Sequence, residues 1–207
     1  MGTLVLPTFI SVDGVMQAPG GPGEDPSDGF RHEGWLVPFA DEDFGKMMVE
    51  SIRSAAGFLL GRRTYDIFAA HWPRVPTEGD PVADALNTLP KWVASTTLTS
   101  PTWQNTTVLT GDVPAAVAKL KEQTDGTILI QGSGRLAQTL IEHDLIDEYR
   151  LLQFPVILGS GRRLFGNKTT PIALELIDTQ TTSTGMLAQT YRPTGRAGTG
   201  TFRLDED

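Results

Sequence analysis

Three short segments combine small, hydroxylic and cationic residues in the way an anionic ligand requires. Gly61-Arg62-Arg63-Thr64 closes an apolar run and opens a candidate helix. Glycine permits close backbone approach, free helix N–H groups and their dipole favour a phosphate, and arginine adds a permanently charged bidentate fork. The same residues also read as a helix capped by Thr64 with two solvated arginines. Ser95-Thr96-Thr97 follows the next short strand. Hydroxyls at the carboxyl end of a strand can hold a ribose or its phosphate, or they form a plain polar turn. The third segment is Gln131-Gly-Ser-Gly-Arg-Leu-Ala137, where Gly132, Gly134 and Ala137 match the spacing of a dinucleotide fingerprint. It stands late in the chain, and the acids Asp147 and Glu148 precede the following strand instead of ending it. That order disfavours a conventional Rossmann dehydrogenase. A further turn, Gly159-Ser-Gly-Arg-Arg163, reads as a seat for a substrate phosphate or as a chain reversal.

With a nicotinamide cofactor carrying the hydride, a protein has to position two rings, exclude water and arrange a proton. Asp13, on a glycine-rich segment, suits the last task, and its alternative is a turn former in Asp-Gly. Other chemistries have less to work with. The chain has no Cys, which removes thiol nucleophiles, disulfides and thiolate zinc centres. Its three histidines, His32, His71 and His143, are widely spaced, so no metal site is expected.

The elements that must position these residues follow from periodicity. Leu4 to Ile10 reads as a buried first strand, and residues 11–34, with Pro19, Pro22 and Pro26, as a long functional loop. Phe44, Met47, Met48 and Ile52 recur at helical spacing over residues 42–54, with Gly57 ending that element. Strands are expected at 58–60, 91–95, 106–109, 127–130 and 148–158, the last interrupted by Pro155. Helices are expected at 65–70, 113–123 and 132–143, with residues 74–89 a polar connection. Leu174, Leu176 and Met186 to Tyr191 suggest a closing hairpin around Gly185. Strands separated by helices require crossovers, hence a mainly parallel sheet with the hairpin antiparallel at one edge. One α/β domain over residues 1–192 and a flexible tail over 193–207 account for the chain of 207 residues.

Composition narrows the partners. Seventeen Lys and Arg against 25 Asp and Glu give a net charge of −8, which argues against nucleic acid and anionic membranes. The amino terminus lacks the basic start and long apolar stretch of a secretion signal. No apolar run reaches the roughly 18 residues of a membrane helix. A cytoplasmic protein is expected.

Several stretches occur in family order: Ser11-Val-Asp-Gly14, Gly61-Arg-Arg-Thr-Tyr65, Gln131-Gly-Ser-Gly134, and Asp147-Glu-Tyr149 followed by Phe154-Pro-Val-Ile-Leu-Gly-Ser-Gly161 and Leu164-Phe165. In these the chain resembles the bacterial dihydrofolate reductase-like family that includes the reductase domain of riboflavin biosynthesis. The likeness spans residues 4–192 and implies a three-layer fold with NADPH across the sheet edge. By that resemblance Gly61, Arg62 and Thr64 contact the adenine-side phosphates, and Ser95 and Thr96 face the ribose 2′-phosphate. Gly132, Ser133, Gly134, Arg135 and Leu136 support the pyrophosphate, while Asp13 to Ala18 border the nicotinamide. The implied activity is NADPH-dependent reduction of a small heterocyclic or carbonyl substrate, most like 5-amino-6-(5-phosphoribosylamino)uracil reductase. The alternatives are a dihydrofolate reductase-type pterin reductase, with Asp41 or Asp43 as its acid where the bland reading is a helix cap, and a non-catalytic NADP-binding protein. Without Cys, this chain is expected to contain no zinc deaminase domain. Relatives are commonly homodimers, and the apolar stretch Leu151 to Leu158 is a candidate edge strand for pairing with a second copy.

Overall fold

Alternation along the central strands divides the core between two faces of one sheet. In the computed structural model, which describes residues 1–166 and 169–202, β1 runs from Thr3–Ser11, β2 from Ala55–Gly61, β3 from Lys91–Ala94 and β4 from Thr106–Leu109. They are followed by β5, Thr127–Gln131, β6, Glu148–Phe154, β7, Ile172–Thr181, and β8, Leu187–Arg196. The helices are α1, Glu42–Arg53, α2, Arg62–His71, α3, Pro81–Thr88, α4, Val113–Gln123, and α5, Gly134–Glu142.

Leu4, Leu6, Ile128 and Ile130 point to one face, where Val117 and Leu120 of α4 and Leu136, Leu140 and Ile141 of α5 cover them. Val5, Leu129, Phe58 and Leu60 point to the other, against Ile52 of α1, Tyr65 of α2 and Leu86 of α3. Each such side chain contributes about 1.5–3 kcal/mol on full burial, so the two faces together fix which side every helix takes. A third cluster, with Val15, Phe30, Trp35 and Phe154, lies beneath the segment that follows β1.

The strand order is β4-β3-β2-β5-β1-β6-β8-β7. The first six strands in that order pair in parallel, and β8 joins β6 antiparallel. The hairpin β7–β8 turns at Gly185, whose φ of 84° suits glycine. The expected three-layer, dihydrofolate reductase-like architecture is therefore present.

Four sequence expectations need correction. Residues 74–89 contain α3, begun by Asp80, whose carboxylate accepts from the N–H groups of Val82 and Ala83, with Pro81 at the first helical position. The strand at 148–158 stops at Phe154, where Pro155 ends the run of ladder donors. It lies between β1 and β8, so it is interior and cannot pair with a second copy; the free edges are β4 and β7. β8 continues through Arg196, so the boundary expected at residue 193 falls inside a strand, and residues 203–207 of the expected tail lie outside the described residues.

The carboxyl end of α3 is also closed. The fully buried Lys91 ammonium donates to the carbonyls of Leu86 and Leu89 at 2.8 Å each and lies 4.5 Å from the Trp103 ring. Burial pushes this group down to about 8.

Candidate functional site

Because β1, β2, β3 and β5 are parallel, the turns that follow them emerge along one rim of the sheet. The first turn of α2 is the hub of that rim, and its residues reach toward three different neighbours. Arg62 reaches the β3 turn, with Nη1 3.3 Å from Thr97 Oγ1, while its Nε donates to Asp66 at 2.8 and 2.9 Å. Arg63 reaches the segment after β1, where it meets Asp25 and Ser27. Thr64 reaches the β5 turn, where its hydroxyl accepts from Ser133 Oγ at 2.8 Å.

The β2 and β5 turns are locked together. Ser133 Oγ also accepts from the Gly61 N–H at 2.7 Å. A Cβ on Gly61 would stand 3.0 Å from Ser133 Oγ, and one on Gly132 would stand 3.0 Å from Thr64 Oγ1. Gly132 and Ser133 are both left-handed, with φ of 54° and 62°. For serine that conformation is uncommon and strained, and strain of this kind concentrates at functional sites.

Thr64 does not cap α2, as one reading of the sequence held. The cap position is Gly61, and Thr64 is the third helical residue, engaged with Ser133. Neither Gly61 nor Ser133 supplies a side-chain cap to the helix it begins. The first-turn N–H groups of α2 and α5, which no helix can satisfy internally, are left available at the rim. Arg135 is exposed in the first turn of α5. Leu136 sends its side chain into the core, so it meets a ligand only through its backbone. Ser95 is buried, and its hydroxyl accepts from the N–H groups of Thr97 and Leu98 at 3.2 and 3.0 Å. It builds the turn that presents the exposed Thr96 and Thr97.

The two carboxylates put forward as proton donors are committed elsewhere. Asp13 accepts from Ser11 Oγ at 2.7 Å and from the N–H groups of Leu158 and Gly159 at 3.1 and 2.9 Å, and Arg163 pairs with it at 3.1 Å. The Ser11 hydrogen bond leads the causes that lower it to about 2, with burial opposing and the two backbone N–H groups adding. Asp41 caps α1 through the Phe44 N–H at 2.8 Å and accepts from Ser183 Oγ at 2.7 Å in the β7–β8 turn. The Phe44 N–H, followed by the Ser183 hydroxyl, lowers it to about 2 as well. These contacts favour the turn-former and cap readings of the two residues.

The segment after β1 brings in residues that local pattern did not mark. Met16 packs on the start of α5, where a Cβ on Gly134 would stand 3.1 Å from its sulfur. Gln17, almost fully buried, donates to the carbonyls of Asp25 and Ser27 and accepts from the Arg162 N–H at 3.0 Å. Beside it lies a hollow of about 260 Å³ lined by Gln17, Asp28, Phe30, Ser160, Gly161 and Arg162. Thus Gly159 to Arg163 reverses the chain and also borders an open space. Among the described residues no group of three His, Asp or Glu is arranged to hold a metal, and no helix is long and apolar enough to cross a membrane.

Comparison with known proteins decides the family. A family model described as the RibD C-terminal domain matches residues 2–188. The chain belongs to the RibD C-terminal domain family. It is similar to the uncharacterized protein YyaP of Bacillus subtilis (strain 168), with 25% identity over 198 residues, 93% of this chain and 95% of that one. Among solved structures it resembles a putative riboflavin biosynthesis protein from Shewanella sp. PV-4, with a TM-score of 0.66 and 21% identity, covering 93% of this chain and 99% of the other. A dihydrofolate reductase from Enterococcus faecalis complexed with NADP(H) shares the fold, with a TM-score of 0.58, 15% identity and coverage of 93% and 97%.

Proposed function

We propose that this member of the RibD C-terminal domain family is an NADPH-dependent reductase that transfers a hydride to a small heterocyclic or carbonyl substrate. The leading candidate is a substrate of the 5-amino-6-(5-phosphoribosylamino)uracil type. The observation that carries this reading is the meeting of two uncapped helix amino ends, α2 and α5, at a rim with Arg62 and Thr97 beside them. Two phosphates linked by a short bridge match two adjacent sets of free N–H groups.

The residues present fit the cofactor. Gly61, Thr64, Gly132, Ser133, Gly134 and the Leu136 backbone would hold the pyrophosphate between the two first turns, with Arg135 adding charge. Arg62, with Ser95 shaping the turn that carries Thr96, would receive the 2′-phosphate, whose charge of about −1.5 to −2 favours NADPH over NADH. The bound cofactor supplies the hydride. The segment from Asp13 to Ala18 closes one side and excludes water, with Asp13 holding it to the glycine turn at 159–163. With Asp13 and Asp41 engaged by their neighbours, this reading assigns the proton to water.

Titration with NADPH and with NADH, followed through quenching of the four tryptophans, tests this. Tighter binding of NADPH is expected; equal or undetectable affinity for both would overturn it. The commitment of both acids also favours a second reading, a non-catalytic NADP-binding protein, which saturable binding without turnover on carbonyl and pterin substrates would support. The pterin reductase loses ground because its acid, Asp41, is a helix cap. Quaternary structure belongs to the same proposal: a homodimer using the β7 edge, where Leu176 and Ile177 are exposed. A monomeric mass by light scattering would refute it.

A further inference from the structure

Residues 12–40 leave β1 and return across the rim before α1. The segment is ordered by its own acids: Glu24 accepts from the Gly20 N–H at 2.6 Å, and Glu33 from the N–H groups of Gly23 and Asp25 at 3.0 and 2.8 Å. A different set ties it to the neighbouring elements. The Asp25 carboxylate lies between two guanidinium groups, that of Arg63 in the first turn of α2 and that of Arg162 in the glycine turn after β6. Ser27 Oγ accepts from both, at 3.1 and 2.7 Å.

The two arginines are held unequally. Arg162 also pairs with Asp28 at 2.9 Å, and its backbone N–H is held by Gln17. Arg63 meets Asp25 at 3.2 Å to each oxygen, and its side chain is 61% exposed. Among the described residues its side chain hydrogen-bonds only to Asp25 and Ser27. It stands on the helix whose amino end no side chain caps. A phosphate there has the free N–H groups to itself and more charge than a carboxylate, so it competes well for an exposed guanidinium.

We infer that Asp25 is a built-in placeholder for a ligand phosphate. Its carboxylate holds Arg63. A phosphate arriving at the amino end of α2 takes Arg63 over, and residues 19–34 loosen from α2 while Arg162 keeps them attached to the glycine turn. This rests on the phosphate-binding role given to the rim above. Coupling is reciprocal: the Asp25–Arg63 contact lowers phosphate affinity, and phosphate raises the mobility of the segment.

The test uses the full chain as wild type and as Asp25→Asn, Arg63→Gln, the double variant and Asp28→Asn, each titrated with NADPH and, separately, with inorganic pyrophosphate. Hydrogen exchange over residues 19–34 is followed in parallel. Asp25→Asn is expected to tighten both probes by about two- to fivefold, the range of a solvent-exposed ion pair. Arg63→Gln weakens both and abolishes the Asp25→Asn effect. Asp28→Asn, which touches Arg162 alone, changes neither. Saturating NADPH raises exchange in residues 19–34 of the wild type. If the wild type binds NADPH but Asp25→Asn leaves affinity unchanged or weaker, Asp25 is scaffold only and the inference falls while the cofactor reading stands. If the wild type binds neither probe, both fall.

Discussion

Helices α1, α3 and α4 each begin on an aspartate, Asp41, Asp80 and Asp112, whose carboxylate accepts from first-turn N–H groups. Helices α2 and α5 begin on Gly61 and Ser133, and among the described residues no side chain caps them. All five pack on the same sheet and are similarly short. What separates α2 and α5 is that they follow two neighbouring interior strands, β2 and β5, whereas α4 follows the edge strand β4. A capping aspartate is worth about 1 kcal/mol to a helix. Leaving two helices without one makes sense where the N–H groups are reserved for an anion, and a carboxylate there would repel that anion.

The contrast can be broken by supplying the missing cap. Ser133→Asp keeps an acceptor for the Gly61 N–H and places a carboxylate at the start of α5, in a backbone conformation aspartate tolerates. NADPH affinity is expected to fall tenfold or more, about 1.4 kcal/mol, while the melting temperature holds, as calorimetry and tryptophan quenching would show. A variant that binds NADPH as well as the wild type would mean that α5 does not receive the phosphate.

The converse change sharpens it. Asp80→Ala and Asp112→Ala should each cost about 1 kcal/mol of stability, seen as a fall of roughly 2–4 °C in melting temperature. Neither should alter NADPH affinity, because the first-turn N–H groups of these two helices already serve their own aspartates and are not assigned to the ligand. A cofactor effect from these caps would erase the distinction between the two groups of helices.

The smallest effect is in acid. Asp13 and Asp41 are held down to about 2, from an unfolded value near 3.8. A lowered carboxylate contributes stability that is present above the unfolded value and lost as pH falls toward the folded one. Asp13→Asn and Asp41→Asn should therefore melt below the wild type at pH 6, with the gap closing between pH 4 and pH 2. A gap that persists at pH 2 would show that hydrogen-bond geometry, not charge, is what these residues supply.

Much of this was legible locally. The α1 cap at Asp41, the hairpin around Gly185 and the turns at Gly61 and Gly132 all have short-range signatures, and they stand where those signatures put them. Helix α3 also had one, Asp80 followed by Pro81, but polar composition around it masked the cap. What local pattern cannot carry is pairing at a distance. The stretch at 148–158 looked like an edge because it is apolar on its own, yet β1 and β8 enclose it. Asp25 meets Arg63 and Arg162 across 38 and 137 residues of chain, so nothing near Asp25 announces either partner. The commitment of Asp13 to Leu158, Gly159 and Arg163 is equally remote.

The central claim is that the two bare helix ends receive the pyrophosphate, and Arg62 the 2′-phosphate, of one adenine dinucleotide. The most direct test is the ratio of NADH to NADPH dissociation constants in the wild type and in Arg62→Gln. A wild-type ratio of at least ten that collapses toward one in the variant is the expected result. A wild type without preference, or a preference unchanged by the loss of Arg62, would contradict it.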